Sequence, residues 1–589
     1  MIEPFHPFHP FLPYLVGALL VPFLPRGPKK ALLLLVPALA FWDLLRMPQG
    51  TYWQVPFLGY QLVLGQVDKL SLVFAYVFVI MSFAGLLYAL HVQDDLQHVA
   101  ALVYAGSALG VVFAGDLFTL YVFWELMAVA SVFLIWAKRE PRALAAGFRY
   151  LLVHLFGGAC LLAGIVLWAS QHGSLAFSGP LTGGGWGFWL ILLGFTLNAA
   201  VPPLHPWLPD AYPEATITGA VFLTAYTTKA AVYTLLRAFP GVEVLAWSGA
   251  VMAVYGVVWA IVENDIRRLL AYHIVSQVGY MVCGVGLGSY LSMNGSAAHA
   301  FCHILYKALL FMGTGAVIYS TGLRKMTDLQ GRDLHWQIPL SLVFYMVGAF
   351  SISAVPLFSG FICKPMIVAA AAEGHRAAIF LLLHLASIGT WLCIGLKLPY
   401  YTWFGRADRP REAIEVRPLP LNMTLGMAFL AFLCLFLGIF PGVLYKMLPY
   451  PVHFHPYEAK HVVDTLQMLL ATVVGVWLLI GRLKPDEAIT LDTDWFYRQG
   501  AGAFLRLCFR LASLRTSLQE GVSKVVAAMI QLSKNPLLAA KALMKGDLEG
   551  IPAYDPDRYR LPVGVGVMSA LLLLSAFCYL LFASLTRMP

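Results

Sequence analysis

Residues 199–213 read AAVPPLHPWLPDAYP and residues 353–365 read SAVPLFSGFICKP, each inside a long apolar run. Proline removes a backbone donor and its ring collides with the preceding turn, so a helix entering either string must break there. A break at membrane depth is tolerated only where the freed backbone groups face protein or water, which is how transporters build ion paths. The strings also share letters, Ala200-Val201-Pro202 against Ala354-Val355-Pro356, 154 residues apart. That interval holds about five helices, and an odd number of spans per unit inserts the second copy upside down.

The rest of the chain supports a lipid setting. Of 589 residues 60% are hydrophobic and 12% charged, and the mean hydropathy is +0.75. Soluble domains carry about twice that charge, so a soluble fold is excluded. Apolar runs long enough for a core about 30 Å thick recur about sixteen times between residues 11 and 584. The expected fold is an all-α polytopic membrane protein with about 16 transmembrane helices. Its plan is two inverted five-helix repeats with broken helices, then a C-terminal amphipathic helix and a final span. The segments are N-terminal spans over 1–97, a first repeat over 98–240 and a second over 241–400. Additional spans follow over 401–482, a basic extension over 483–560 and an anchor over 561–589. The start, MIEPFHPFHPFLPYLVGALL, has no basic leader and reads as a first span. Basic loops at 26, 137, 263 and 322 predict the cytoplasmic face of a bacterial inner membrane.

An ionisable group at bilayer depth costs about 2.5–3.5 kcal/mol even on lenient scales, so each one needs a reason. Glu125, Lys229 and Lys364 lie within apolar runs, and their positions predict mid-span charges. Snorkelling accounts for Arg149, Lys397 and Glu263. In AAHAFCHILYKALLFMG, His299, His303 and Lys307 follow at steps of four, which puts them on one stripe about 6 Å apart along a helix. With water between them, such a row suits stepwise proton passage, and for isolated His154, His273 or His384 interhelical packing stands level with a titratable role, His154 and His273 being auxiliary positions of the path together with Asn198 and His205. Burial disfavours a charged amine and a nearby carboxylate favours it, so moving either toggles a lysine. The eight cysteines include no CxxC pair, and neither a metal site nor a redox cofactor is expected. Haem ligation would not call for the added lysines.

VFWELM around Glu125, PLHPWLPDAYPEA at 203, TTKAAVYTLLR at 227, DIRRLLAYHIVSQVGYM at 265, HAFCHILYKALLF at 299 and SGFICKP at 359 resemble the antiporter-like subunits shared by respiratory complex I and Mrp-type sodium/proton antiporters. The resemblance covers nearly the entire chain. It implies two inverted repeats, each holding a half-channel, and a central chain of charged residues. It also implies roles: Glu125 modulates the first half-channel, Lys229 connects to the middle, His299, His303 and Lys307 continue it, and Lys364 is the exit group. One position departs from the pattern. The family places a lysine seven residues before the histidine that is His205 here, and this chain has Asn198. Either Lys229 pairs with Glu125 directly, or His205 or His154 supplies the proton site, or this half no longer pumps.

The extension contains Arg498, Arg506, Arg510, Arg515, Lys524, Lys534, Lys541 and Lys545 against Glu520 alone over 498–545, which accounts for most of the formal net charge of +9. Its basic amphipathic pattern suits anionic lipid headgroups. The resemblance implies instead a lateral helix laid across neighbouring subunits. The expected function is proton translocation within a multisubunit ion-pumping complex, not catalytic alone, with a redox arm or an opposing sodium gradient as the energy source. The expected partners are other membrane subunits, and nucleic acid is not one. A structural or assembly role with a degenerate path is the alternative, motivated by Asn198.

Overall fold

The computed structural model describes residues 8–405, 414–487, 491–536 and 563–585, together with 540, 541, 544 and 555. It divides into two compact units, Met1–Asp494 and Trp495–Pro589. The first unit opens with α1 (Phe11–Leu20) and α2 (Arg26–Arg46), then a hairpin of β1 (Gly50–Phe57) and β2 (Tyr60–Val67). The next helices are α3 (Lys69–Ala89), α4 (Asp95–Phe113), α5 (Leu117–Trp136), α6 (Pro141–His172) and α7 (Trp186–Asn198). Short pieces α8 (Trp207–Ala211), α9 (Ile217–Leu223) and α10 (Thr227–Ala238) follow. The series continues with α11 (Glu243–Val262), α12 (Ile266–Leu287), α13 (Tyr290–Thr321), α14 (Met326–Leu329), α15 (Leu334–Gln337) and α16 (Pro339–Ile352). It closes with α17 (Lys364–Glu373), α18 (Ala377–Thr390), α19 (Leu421–Ile439), α20 (Pro441–Tyr445) and α21 (Ala459–Leu479).

Among the described residues, eleven helices are long and apolar enough to cross a membrane, and three shorter apolar helices accompany them. The chain is an integral membrane protein. Its all-helical reading needs one correction, the hairpin. Gly50 pairs with Val67 and Phe57 with Tyr60, around a turn whose Leu58 and Gly59 have φ of 48° and 81°. Two left-handed central residues give a turn whose twist matches that of the strands. The alternation in GTYWQVPF and YQLVLGQV was hidden because the strands lie between apolar helices and are themselves largely apolar.

Both proline strings break their helices, and they do so in the same way. Ala200 and Ala354 each have φ of 57°. The Ala200 amide donates to the Leu197 carbonyl (3.0 Å) and the Val201 amide to Thr196 (3.1 Å). The Ala354 amide donates to Ser351 (3.1 Å) and the Val355 amide to Phe350 (3.0 Å). This is the Schellman ending, with alanine where glycine is usual and proline two residues on. The left-handed alanine costs about 1–2 kcal/mol each time. A third break has no proline: α9 ends at Leu223 and α10 starts at Thr227, within TAYTTK.

The two long helices α6 and α13 have 32 residues each. Isolated bridges join Asp116 to Ala176 and Asp265 to Lys325. Asp116 and Asp265 cap α5 and α12 with their carboxylates. The basic loops meet on one face: Lys29 pairs with Asp95, Arg139 with Asp94, Lys138 with Glu214, and Arg324 with both Glu214 and Asp265. Snorkelling does not describe Arg149, whose guanidinium forks onto Asp210 at 2.7 and 2.9 Å. Nor does it describe Lys397, which is buried and donates to the Ile261 carbonyl at the end of α11.

Helices α12 and α13 are buried along almost their whole length. Small residues let α11 lie directly on α12. A Cβ at Gly249 would come within 2.2 Å of the Cys283 amide, and one at Gly286 within 2.0 Å of the Ala246 amide. In the second unit, α22 (Asp494–Lys534) is exposed along nearly all its described side chains, as is α23 (Val563–Leu585). At 1.5 Å per residue, the 41 residues of α22 reach about 60 Å. The part of the predicted extension beyond Pro536 lies largely outside the described residues. Gly249→Leu is expected to destabilise the α11–α12 pair by about 1–3 kcal/mol, read as a lower unfolding temperature of the purified protein in detergent.

Candidate functional site

The breaks decide where the buried lysines stand. Lys229 and Lys364 read as mid-span in the sequence, but Lys229 is in the first turn of α10 and Lys364 is the first residue of α17. Each follows a break, at the helix end whose partial charge opposes a cation. That placement adds no stability to a charged amine, so a structural explanation for the unpartnered Lys364 is weakened.

Lys229 is fully buried, and its amine donates to the Thr224 carbonyl (2.5 Å) and the Thr228 hydroxyl (3.1 Å). The carbonyl is one that the third break leaves without a helical donor. Direct pairing of Lys229 with Glu125 is therefore not what this structure contains. The Lys229 side chain lies in electrostatic range of His299, His303 and Lys307. On α13 the rings of His299 and His303 are 6.1 Å apart. His299 Nδ1 contacts the Cys363 sulfur at 3.4 Å, next to Lys364. The Lys364 amine sits 4.5 Å from the Tyr280 ring centroid, and the Lys307 amine 5.9 Å from that of Phe311. Among the described residues, neither amine has a hydrogen-bond partner, nor does either ring nitrogen of His303 or His273. His273, on α12, is in range of both Lys307 and Lys364. Six of the sequence-derived positions thus gather around α13: Lys229, His273, His299, His303, Lys307 and Lys364.

Lys364 also borders a cavity of about 240 Å³ that is lined by His384, His461 and Asp464. Asp464 is exposed, so the cavity runs from the buried amine towards the protein surface.

Glu125, Asn198, His154 and His205 are separate from that group. Glu125 Oε1 rests on Gly158 of α6, where a Cβ would come within 1.8 Å of it. Only glycine leaves room there for the carboxylate. His154, also on α6, stacks on Tyr150 (ring centroids 4.0 Å apart) and meets Trp207 edge-on (4.5 Å). Asn198 is the last residue of α7, fully buried, and neither of its side-chain polar atoms has a partner among the described residues. Hydroxyls lie between this region and Lys229: Tyr150 bonds Ser131 (2.8 Å), and Tyr104 bonds Thr227 (2.6 Å), two residues before Lys229. These tyrosines were missed because an aromatic in an apolar run reads as core. Asp492 was missed as well. It bonds His205, and its only signal was acid at the root of a basic extension.

Residues 114–390 match the family described as NADH:quinone oxidoreductase/Mrp antiporter, TM. A probable K(+)/H(+) antiporter protein of Rhizobium meliloti is 30% identical over 416 residues, 66% of this chain and 41% of that protein. The chain thus spans less than half the length of that relative. Among solved structures, a chain of the Mrp complex from Dietzia sp. DQ12-45-1b superposes with a TM-score of 0.67 at 21% identity, covering 79% of this chain and 98% of that one. A chain of respiratory complex I from Thermus thermophilus gives 0.61 at 25% identity, covering 75% and 99%.

The two kinds of buried lysine are expected to respond oppositely to methionine. Lys229→Met leaves the Thr224 carbonyl without its donor and lowers the unfolding temperature, a loss of about 1–3 kcal/mol. Lys307→Met and Lys364→Met remove unpartnered buried amines and leave that temperature unchanged or higher. Thermal unfolding of the three purified variants checks both.

Proposed function

We propose that the chain is a member of the antiporter-like family shared by NADH:quinone oxidoreductase and Mrp antiporters, and within it the proton-translocating membrane subunit of a multisubunit ion-pumping complex. The observation that carries this reading is the row His299, His303 and Lys307 on a helix buried along almost its whole length, between two lysines placed at helix breaks. Stepwise transfer needs titratable groups within a few ångströms of one another, bridged by water, and each free to exist neutral or charged. A lysine locked in a salt bridge would not serve. Lys307 and Lys364 have no acidic partner among the described residues.

In this reading a proton passes from Lys229 through Lys307, His303 and His299 to Lys364, and leaves by the cavity that His384, His461 and Asp464 line. Glu125, with His154 or His205 and the hydroxyls of Tyr150 and Tyr104, serves the first repeat. The repeats are inverted copies. Support for this comes from the matched endings at Ala200 and Ala354, the matched bridges at Asp116 and Asp265, and the matched lengths of α6 and α13. Five spans per copy, with three N-terminal spans, two later spans and the last helix, give about sixteen in total. The exposed apolar α23 and the basic α22 suit neighbouring subunits or lipid headgroups. The driving energy comes from those neighbours, as a redox reaction or a cation gradient, in a bacterial inner membrane.

Lys307→Ala and Lys364→Ala are each expected to remove most coupled proton movement in inverted membrane vesicles while the complex still assembles. Normal proton uptake by both assembled variants would end the relay reading.

A further inference from the structure

The path just described leaves Glu125 without a lysine partner and does not use the buried acid Asp492. Asp492 lies in the connector between α21 and α22, with 1% of its side chain exposed. Its Oδ2 bonds Nε2 of the fully buried His205 at 3.0 Å and accepts the Tyr272 hydroxyl at 2.7 Å. Its Oδ1 accepts the Tyr255 hydroxyl and the Thr493 amide, both at 2.5 Å. Three separate parts of the chain converge on this carboxylate: the segment after the first break, α11 and α12. The charged groups near them are Arg268, one turn before Tyr272, and Asp494. His205 Nδ1 is buried and has no partner among the described residues.

We propose that His205 and Asp492 are the titratable switch of the first repeat, a proton-binding pair whose carboxylate comes from the connector beyond both repeats. The proposal rests on the proton-path reading and supplies the group that Asn198 cannot. Burial pushes the Asp492 carboxyl up, but the bond to His205 and the two tyrosine hydroxyls outweigh it and hold it well below the usual carboxylate range. Asp492 is therefore the fixed charge of the pair. With Nε2–H given to Asp492, Nδ1 is the nitrogen that takes up a proton, and the imidazolium is then balanced by the carboxylate. Tyr255 and Tyr272 hold the same carboxylate from α11 and α12, so a change of charge at His205 is felt across to the second repeat.

The test uses the full chain in its assembled complex, in inverted vesicles. Asp492→Asn keeps the shape and an acceptor oxygen but removes the charge. Proton movement is expected to fall about tenfold or more, with a displaced pH profile, and Asp492→Glu is expected to recover part of both. Lys364→Ala is run beside it. If Lys364→Ala is inactive while Asp492→Asn transports normally with an unchanged pH profile, the switch is overturned and the relay stands. If Lys364→Ala transports normally, the relay itself falls. Should Asp492→Asn prevent assembly, His205→Gln with Asp492→Asn leaves no lone buried charge and takes its place. Loss of transport in that assembled double variant supports the switch, and a wild-type rate and pH profile overturn it.

Discussion

A backbone carbonyl freed inside a hydrocarbon core has no water to bond, so every interruption of a helix must be satisfied by the protein itself. The three breaks in this chain meet that constraint in two ways. After α7 and after α16, backbone amides fold back onto the last turn through a left-handed alanine. Between α9 and α10 there is no such ending, and the amine of Lys229 bonds the Thr224 carbonyl. Backbone repair and ionisable chemistry share one side chain there. The rest of the site follows from where the half-helices begin, because two of the buried lysines stand at those beginnings.

Enclosure then decides what the charges can do. Helices α12 and α13 are surrounded on all sides, so the histidines and Lys307 of α13 meet other protein groups and not lipid. A buried ion pair would fix a lysine in its charged form, and a lone buried amine is free to change state at a cost set by its surroundings. Lys307 and Lys364 are of the second kind, and among the described residues the amine of Lys229 is held by no acid, only by the Thr224 carbonyl and the Thr228 hydroxyl. The surroundings of the first proline break differ: Glu125 rests on Gly158, and the buried acid brought to that break is Asp492, bonded to His205.

Apolar runs and proline strings were legible from the sequence because each acts locally: a run of about 20 residues spans, and a proline breaks. The stripe on α13 was legible for the same reason, since steps of four on a helix need no tertiary information. What escaped depended on distant partners. The hairpin at 50–67 is local in register, but its apolar strands looked like helix margins. The break before Lys229 has no proline and is made stable by the lysine's own amine, so residues around TAYTTK read as one span. Arg149 looked like a snorkelling cation because Asp210 is 61 residues away. Asp492 drew no reading because its partner His205 is 287 residues earlier.

The charge distribution gains a second meaning from that last pair. Most of the formal excess of +9 lies over 498–545, and the two acids of LDTDW immediately precede it. An acid left on the surface at that root would weaken the attraction of the extension for anionic partners. Asp492 is instead turned inward, where it bonds His205 and accepts the Tyr255 and Tyr272 hydroxyls. Binding at one group and seating at the other are then linked, because any event that weakens the His205–Asp492 bond weakens the hold on the connector by the same free energy, and the reverse. With His205 as the proposed switch, its protonation and the anchoring of the connector would be two readings of one equilibrium.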